Sequence, residues 1–112
     1  MPWQIRTKRG SEETSWSSVK LALDAITLDE AITELILCDP DNKDIYGKPI
    51  VYRWVRKNPE TTWHYKDEQT LRRLSLDYAR YGKEAIFWVS YSKGGYITDT
   101  RTIADLRRIY LK

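Results

Sequence analysis

The chain of 112 residues contains a single cysteine, Cys38, and a single histidine, His64. One cysteine cannot form an intramolecular disulfide bond, which fits a protein of the cytoplasm or of another reducing compartment. Structural zinc sites usually take four ligands from cysteine, histidine and carboxylate side chains. With one thiol and one imidazole, the sequence predicts no metal site.

Long apolar runs and glycine-rich phosphate loops are also missing. No apolar run approaches the roughly 20 residues that a membrane-spanning helix needs, and the basic first ten residues lack the apolar core of a signal peptide. The pair Gly94–Gly95 fits neither the P-loop spacing nor the dinucleotide-binding fingerprint, and it is typical of a hairpin turn. We therefore expect a soluble intracellular protein with no membrane partner and no cofactor.

Three aspartates, Asp39, Asp41 and Asp44, cluster in one loop without forming a calcium-binding pattern. Lys43 occupies a position where such a loop needs a ligand, and Ile50 stands where the bidentate glutamate belongs. Aspartate is also a common turn former, because its side chain accepts hydrogen bonds from nearby backbone N–H groups. The cluster therefore predicts a turn rather than a metal site.

The composition provides for one hydrophobic core and a small positive charge. Hydrophobic residues make up 41% of the chain, with five Trp and eight Tyr, which argues against disorder. The length suits one compact domain over residues 1–112. Residues 1–56 carry eight Lys or Arg against nine Asp or Glu, and residues 57–112 carry eleven against seven. This basic second half favours a partner that presents phosphate or an acidic protein surface.

Hydrophobic periodicity and turn residues predict the order of the elements. In the first part of the chain, we expect a strand at 3–9, a helix after an N-cap at Ser15, a short helix from Thr27, a buried strand at 35–38 and a loop at 39–49. A strand at 50–57 should then form a hairpin with 61–66. The rest of the chain should form a helix at 68–81, a hairpin of 84–92 with 96–100, and a last helix from Thr102. Hairpins with interposed helices predict an α+β fold. The sheet should be mainly antiparallel, with about four to six strands, and two or three helices should pack on one face.

Residues that cap helices give the most specific local predictions. Asp67 is a typical N-cap residue and Gly82 a typical C-terminal stop, so together they bracket one helix. Thr27 is followed by a glutamate at the spacing of a capping box. Thr102 has the same spacing with Asp105, so it should begin the last helix.

Residues 50–68 interleave aromatic and basic side chains. If the two halves pair as a hairpin, the rings gather on one face and the polar side chains on the reverse face. The rings are Tyr52, Trp54, Trp63 and Tyr65, and the polar side chains are Arg53, Lys57, His64 and Lys66. Exposed rings would stack on nucleotide bases while the cations contact phosphates. Because rings and cations segregate, burial of the rings in the core is the favoured interpretation.

A second group of cations lies on the two later helices. Arg72, Arg73 and Arg80 should face solvent on the first of them, and Arg107 and Arg108 end the second. If the two helices lie side by side, these arginines would merge into one cationic patch. Arg107 and Arg108 also suit the negative end of a helix dipole, which is a structural reason for their presence.

These observations favour a small binding module without enzymatic activity. We expect it to bind nucleic acid or another polyanion through its basic C-terminal half. The candidate binding residues are Arg53, Lys57, Trp63, His64, Lys66, Arg72, Arg73, Arg80, Arg107 and Arg108. The alternative is an adaptor or inhibitor that binds an acidic protein surface, because Trp, Tyr and Arg are also enriched at interface hot spots. A metal-free ribonuclease that uses His64 for proton transfer is a third possibility, for which one histidine is weak evidence.

Overall fold

The computed structural model describes residues 2–62, 64–91 and 94–112. Within these residues the chain forms six strands and three helices: β1 (Gln4–Arg9), β2 (Glu12–Trp16), α1 (Val19–Leu28), β3 (Ile32–Lys43), β4 (Pro49–Val55), α2 (Glu68–Tyr81), β5 (Ala85–Ser90), β6 (Tyr96–Thr102) and α3 (Ile103–Tyr110). The strands form one sheet in the order β2-β1-β3-β4-β5-β6, and every neighbouring pair is antiparallel. The predicted α+β class with a mainly antiparallel sheet is confirmed.

Two helices cover one face of the sheet. Leu35 is the cross-strand partner of Trp54, and Trp54 is that of Trp88, so these side chains share what we call the first face. They pack with Leu23 of α1 and Leu106 of α3 in one buried cluster. The prediction of two or three helices on one face is met by α1 and α3.

The third helix packs on the opposite side, which we call the second face. Val55 and Phe87 are cross-strand partners, and each is adjacent in the chain to a tryptophan of the first face, Trp54 or Trp88. Because side chains alternate along a strand, Val55 and Phe87 point to the opposite face. They form a separate buried cluster with Leu74 and Tyr78 of α2 and with Ile97 of β6. Helix α2 therefore covers the end of the second face that β5 and β6 form.

The rest of the second face carries polar side chains. The register places Arg6 and Lys8 of β1, Glu34 of β3 and Arg53 of β4 on this side of the sheet. An antiparallel sheet with one solvated face shows this alternation of apolar and polar residues along its strands. No helix packs on this polar part of the second face among the described residues.

The β6 edge of the sheet is closed by residues from outside it. The Ile97 N–H donates to the His64 carbonyl over 3.2 Å, and Tyr65 forms an isolated parallel bridge with Ile97. The Arg73 guanidinium donates to the Thr98 carbonyl over 2.8 Å. These bonds occupy backbone groups that would otherwise offer a template for another strand.

Trp3 contacts two other aromatic rings, one from β4 and one from α3. Trp3 stacks on Tyr52 with ring centroids 6.1 Å apart, and it meets Tyr110 edge-on at 5.9 Å. Tyr52 lies on the first face of the sheet, and Tyr110 is the last residue of α3, which packs on that face. Burial raises the pKa of the Tyr110 hydroxyl above its ordinary value.

Several predicted caps and one hairpin are confirmed. The Asp67 side chain accepts from the Thr70 N–H at the start of α2, and Gly82 ends that helix with a φ of 57°. Thr102 begins α3 with a complete capping box that Asp105 closes. Strands β5 and β6 form the predicted hairpin.

The predictions for the first part of the chain were partly wrong. The segment 12–16 is strand β2, so α1 begins later, after an N-cap at Ser18 instead of Ser15. No second helix starts at Thr27, because its hydroxyl donates to the Leu23 carbonyl inside the last turns of α1. Strand β3 also continues to Lys43, into the segment expected to be a loop.

The predicted hairpin of 50–57 with 61–66 was wrong. Strand β4 lies between β3 and β5 in the sheet, so both of its edges have other partners. The chain after β4 forms a short 3-10 helix at Pro59–Thr61 instead of returning as a strand. The Pro59 ring is fully buried there.

Among the described residues, no helix has both the length and the apolar character needed to cross a lipid bilayer.

Candidate functional site

The aromatic residues of β4 belong to the core. Trp54 is 6% exposed and lies 5.1 Å, centroid to centroid, from Trp88, which in turn contacts Tyr52. These rings face α1 and α3, so they are not available to stack on a ligand. Tyr65 is half-buried beside β6, and Trp63 lies outside the described residues.

The second face brings a cation and an exposed ring together from different elements. Arg53 is paired with Val89, and Tyr91 follows two residues later, at the end of β5. The Arg53 guanidinium carbon lies 4.9 Å from the centroid of the Tyr91 ring. Tyr91 is 57% exposed, so one cation is held over a ring that solvent can reach.

A pocket of about 80 Å³, which we call the Tyr91 pocket, opens beside this pair. Its apolar floor is formed by Val55, Val89 and Ile97. Its rim carries polar and aromatic side chains, namely Lys57, Thr62, His64 and Tyr91, and Glu34 also lines it. An apolar floor with a few convergent polar groups is typical of small ligand sites.

The sequence of the 56–66 segment explains how the rim is built. Asn58 caps the short 3-10 helix by accepting from the Glu60 N–H over 3.0 Å, and Pro59 anchors it in the core. The chain then passes β6, where the His64 carbonyl accepts from Ile97. The His64 ring meets Tyr96 edge-on at 5.9 Å, so its orientation is fixed by packing.

The Arg53 guanidinium is only loosely engaged by protein groups. Its Nη1 lies 3.7 Å from Oε2 of Glu34, and both side chains are less than one quarter exposed, at 24% and 17%. Nε of Arg53 and that same Glu34 oxygen have no hydrogen-bond partner within the described ranges. A charge pair without close hydrogen bonds is poorly compensated. Both unpaired atoms are buried, so a ligand would contact Arg53 through the exposed quarter of its side chain.

A wider notch lies next to Tyr91. Strand β4 pairs with β5 only from Arg53 to Val55, so its first residues have no partner on that side. The notch measures about 640 Å³ and includes Lys48, Val51 and Trp88 among its lining residues. It is much larger than the Tyr91 pocket, and Tyr91 lines both cavities.

The structure brings three of the predicted site residues to one place. Arg53, Lys57 and His64 all lie at the Tyr91 pocket or beside it. Lys66 is exposed in the loop before α2.

The helical arginines are engaged elsewhere. Each contacts a group of the protein: Arg72 pairs with Glu68, Arg73 with Asp77 and Asp99, Arg80 lies over the Tyr81 ring, Arg107 pairs with Asp24, and Arg108 pairs with Asp105. A hydrogen bond from Lys20 and another from Arg107 hold the pKa of Asp24 below its ordinary value. Because α2 and α3 lie on opposite faces, their arginines do not merge into one patch.

Sequence reasoning missed Tyr91, Arg6 and Lys8 as members of this surface. Arg6 donates to Glu13 over 2.6 Å, and it shares the second face with Arg53. The alternation of β1 already places Arg6 and Lys8 on one side of that strand. Their proximity to Arg53 depends on pairing between distant segments, for which the sequence gives no local signal.

Neither a cluster of metal-binding side chains in the described residues nor a similar known protein assigns a function to this surface. No three or more metal-binding side chains come together in the part of the chain that the structure describes. No protein family model matches the sequence, no curated protein matches it, and no solved structure matches the fold.

Proposed function

We propose that this protein binds single-stranded nucleic acid on the second face of the sheet, with one base in the Tyr91 pocket. The observation that carries the proposal is the meeting of an exposed ring, an apolar floor and a lysine at one small cavity, with the guanidinium of Arg53 held over the ring. A nucleotide needs rings and cations side by side, because its base stacks while its phosphate seeks positive charge. Arg53 and Lys57 supply that charge next to Tyr91.

The shape of the surface favours a single strand over a duplex. A cavity of about 80 Å³ takes one flat group at a time, and the bases of a duplex are stacked and paired, so their faces are not exposed. Single-stranded bases are free to stack on protein rings, and each such contact is worth about 1–3 kcal/mol. The chemistry described here does not select RNA over DNA.

Binding of this kind needs no catalytic group. His64 is the one imidazole of the chain, and its ring packs against Tyr96 at the rim. We assign it to the wall of the pocket, where an imidazole face contributes to stacking. The other titratable side chains that line the pocket are Glu34, Lys57 and Tyr91. We assign Glu34 to its pair with Arg53, Lys57 to a phosphate contact and Tyr91 to stacking.

The proposal is tested by anisotropy titration of labelled octamers of single-stranded RNA, single-stranded DNA and duplex DNA. At about 50 mM salt the single strands should bind saturably, and their affinity should fall steeply by about 200 mM. Tyr91→Ala should weaken binding by roughly 5-fold to 100-fold, the equivalent of one lost stack. Lys57→Ala should weaken binding and reduce the salt dependence.

Tyr81→Ala is the matched control, because Arg80 lies over Tyr81 just as Arg53 lies over Tyr91, at 5.3 Å. The control removes an arginine-stacked tyrosine from α2 and should leave affinity unchanged. Absence of salt-sensitive binding to all three probes would contradict the proposal. Equal losses in Tyr81→Ala and Tyr91→Ala would contradict the assignment of the site.

A second candidate function is binding to another protein, and the turn between β3 and β4 favours it. Ile45 and Tyr46 are 91% and 82% exposed at the tip of this hairpin. Large apolar side chains at such positions are typical anchors of protein interfaces. A pulldown that recovers one protein in the presence of nuclease, and loses it with Tyr46→Ala, would support this function over nucleic-acid binding.

A further inference from the structure

The Tyr91 pocket lies at one end of a straight row of residues that crosses the sheet. Val89 is paired with Arg53, Arg53 with Ile36, Ile36 with Arg6, and Arg6 with Ser15. The row therefore runs over β5, β4, β3, β1 and β2 at right angles to the strands. Since neighbouring strands are about 4.8 Å apart, the Cα atoms of Arg53 and Arg6 are roughly 10 Å apart.

The centre of this row is apolar but closed to solvent. Ile36 is 1% exposed, although it belongs to neither buried cluster and lies on the face that carries polar side chains. Its partners on both sides are Arg53 and Arg6, and the aliphatic stem of an arginine can cover an apolar neighbour. The Arg6 side chain is 37% exposed and the Arg53 side chain is 24% exposed, so part of each reaches solvent on either side of Ile36.

Arg6 has binding capacity left beyond its present partner. Its Nη1 donates to Glu13, and both of these side chains are 37% exposed. Its Nε is buried and has no hydrogen-bond partner among residues 2–62, 64–91 and 94–112, so a ligand would contact this guanidinium through its remaining Nη donors. A guanidinium has five N–H donors, so Arg6 can hold Glu13 and still fork onto a phosphate.

Lys8 strengthens the positive charge at this end of the row. Lys8 lies two residues after Arg6 on β1, on the same face of the sheet, and its cross-strand partners are Glu34 of β3 and Glu13 of β2. The basic side chains Arg6, Lys8 and Arg53 outnumber these two glutamates on the open part of the second face. A surface of this sign attracts the phosphates of a strand that leaves the Tyr91 pocket.

We propose that the bound strand runs across the sheet from the Tyr91 pocket toward β1, and that Arg53 and Arg6 contact successive parts of its backbone. This inference rests on the proposed function and adds the path of the ligand and a second phosphate contact. The path has a measurable consequence. Arg6 contributes only when the ligand is long enough to span the roughly 10 Å between the two arginines.

The test compares oligouridylates of two and of eight residues, with Arg6→Met as the variant. The octamer should bind Arg6→Met about tenfold more weakly than the wild type, because one charge-assisted contact is lost. The slope of log affinity against log salt should fall by about 0.7, the value for one phosphate contact on a single strand. Affinity for the dinucleotide, measured by competition, should not change.

Arg72→Met is the matched control, because Arg72 also pairs with a nearby glutamate, Glu68, but lies on α2. It removes the same charge and should alter neither affinity. Arg6→Lys keeps the charge and should retain the salt slope, which separates a phosphate contact from a loss of β1–β2 pairing. Circular dichroism of each variant checks that the sheet is intact.

The outcomes distinguish the two proposals. If Tyr91→Ala weakens octamer binding while Arg6→Met leaves its affinity and salt slope unchanged, the path is wrong and the proposed function stands. If Arg6→Met weakens the dinucleotide and the octamer equally, the path is also wrong. If the wild-type protein binds neither these oligouridylates nor the single-stranded DNA octamer, both proposals are refuted.

Discussion

Replacement of Arg56 by methionine should destabilise the fold more than replacement of any surface arginine. Arg56 follows β4, and its Nη2 donates over 2.6 Å to the carbonyl of Ile26, in the last turn of α1. The carbonyls of a last helical turn have no partner within the helix, and a cation there also complements the helix dipole. Arg56 thereby ties the end of α1 to the edge of the core.

The expected loss is about 2 kcal/mol in the free energy of unfolding. A hydrogen bond from a charged donor is worth about 1.5–3 kcal/mol. Methionine keeps most of the apolar stem of Arg56, so the loss in free energy of unfolding measures the contribution of the guanidinium N–H donors. Burial lowers the pKa of Arg56, while the charges of Glu84, Glu30 and Asp29 oppose that shift. Removal of the partly buried cation also removes the free-energy cost of taking its charge out of water, which keeps the expected loss of stability near the lower end of the range.

Urea unfolding of both proteins, followed by circular dichroism, measures the difference. For a chain of this size, about 2 kcal/mol corresponds to a melting temperature lower by roughly 8 °C. Arg72→Met is the control, since its exposed pair with Glu68 should contribute no more than about 0.5 kcal/mol. If Arg56→Met were no less stable than this control, the bond to Ile26 would not hold α1 in place.

Three further changes test the core, a cap and the response to acid. Phe87→Ala should cost about 3–5 kcal/mol, because the fully buried ring fills the space between the sheet and α2; a loss below about 1 kcal/mol in urea unfolding would contradict this packing. Thr102→Ala should cost about 0.5–2 kcal/mol by opening the capping box of α3, and a melting temperature equal to that of the wild type would contradict it. A hydrogen bond from the backbone N–H of Thr102 holds the pKa of Asp105 in the folded protein below its ordinary value. The ionised Asp105 therefore stabilises the folded state at pH values above its pKa in the unfolded chain, about 3.9. This stabilisation is lost as the pH falls through the pKa of Asp105 in the folded protein. Asp105→Asn should therefore show a smaller loss of stability between neutral and strongly acidic pH, and an unchanged acid profile would refute the assignment.

Local signals predicted the second half of the chain well. Asp67, Gly82 and Thr102 act on neighbours within a few residues, so their capping chemistry is visible in the sequence. The hairpin of β5 with β6 is similarly local. In each case the energy that decides the structure comes from residues close together in the chain.

The first half depended on contacts that no local pattern shows. Strand β2 has four exposed residues and no apolar alternation, and its pairing with β1 is what makes it a strand. Thr27 has capping-box spacing with Glu30, yet Glu30 pairs with Lys83, which lies just beyond the C-terminal end of α2. Tertiary partners outweighed the local motif in both cases.

The candidate site was predicted only in part for the same reason. Arg53, Lys57 and His64 stood out because they are close in sequence and rich in charge. Tyr91 and Arg6 join them through pairings of β4 with β5 and of β1 with β3, which connect segments more than 20 residues apart. The sequence could indicate the residue types of the site, but the sheet order decides which of them meet.

The contact of Trp3 with Tyr110 has a consequence for engineering the protein. Since Trp3 and Tyr110 touch, a short linker between positions 3 and 110 would close this segment into a ring without stretching the fold. The exposed turn at Ile45 and Tyr46 then offers a place to reopen it. For the same reason, the whole fold could be carried in a surface loop of a host protein, with the second face of its sheet left free.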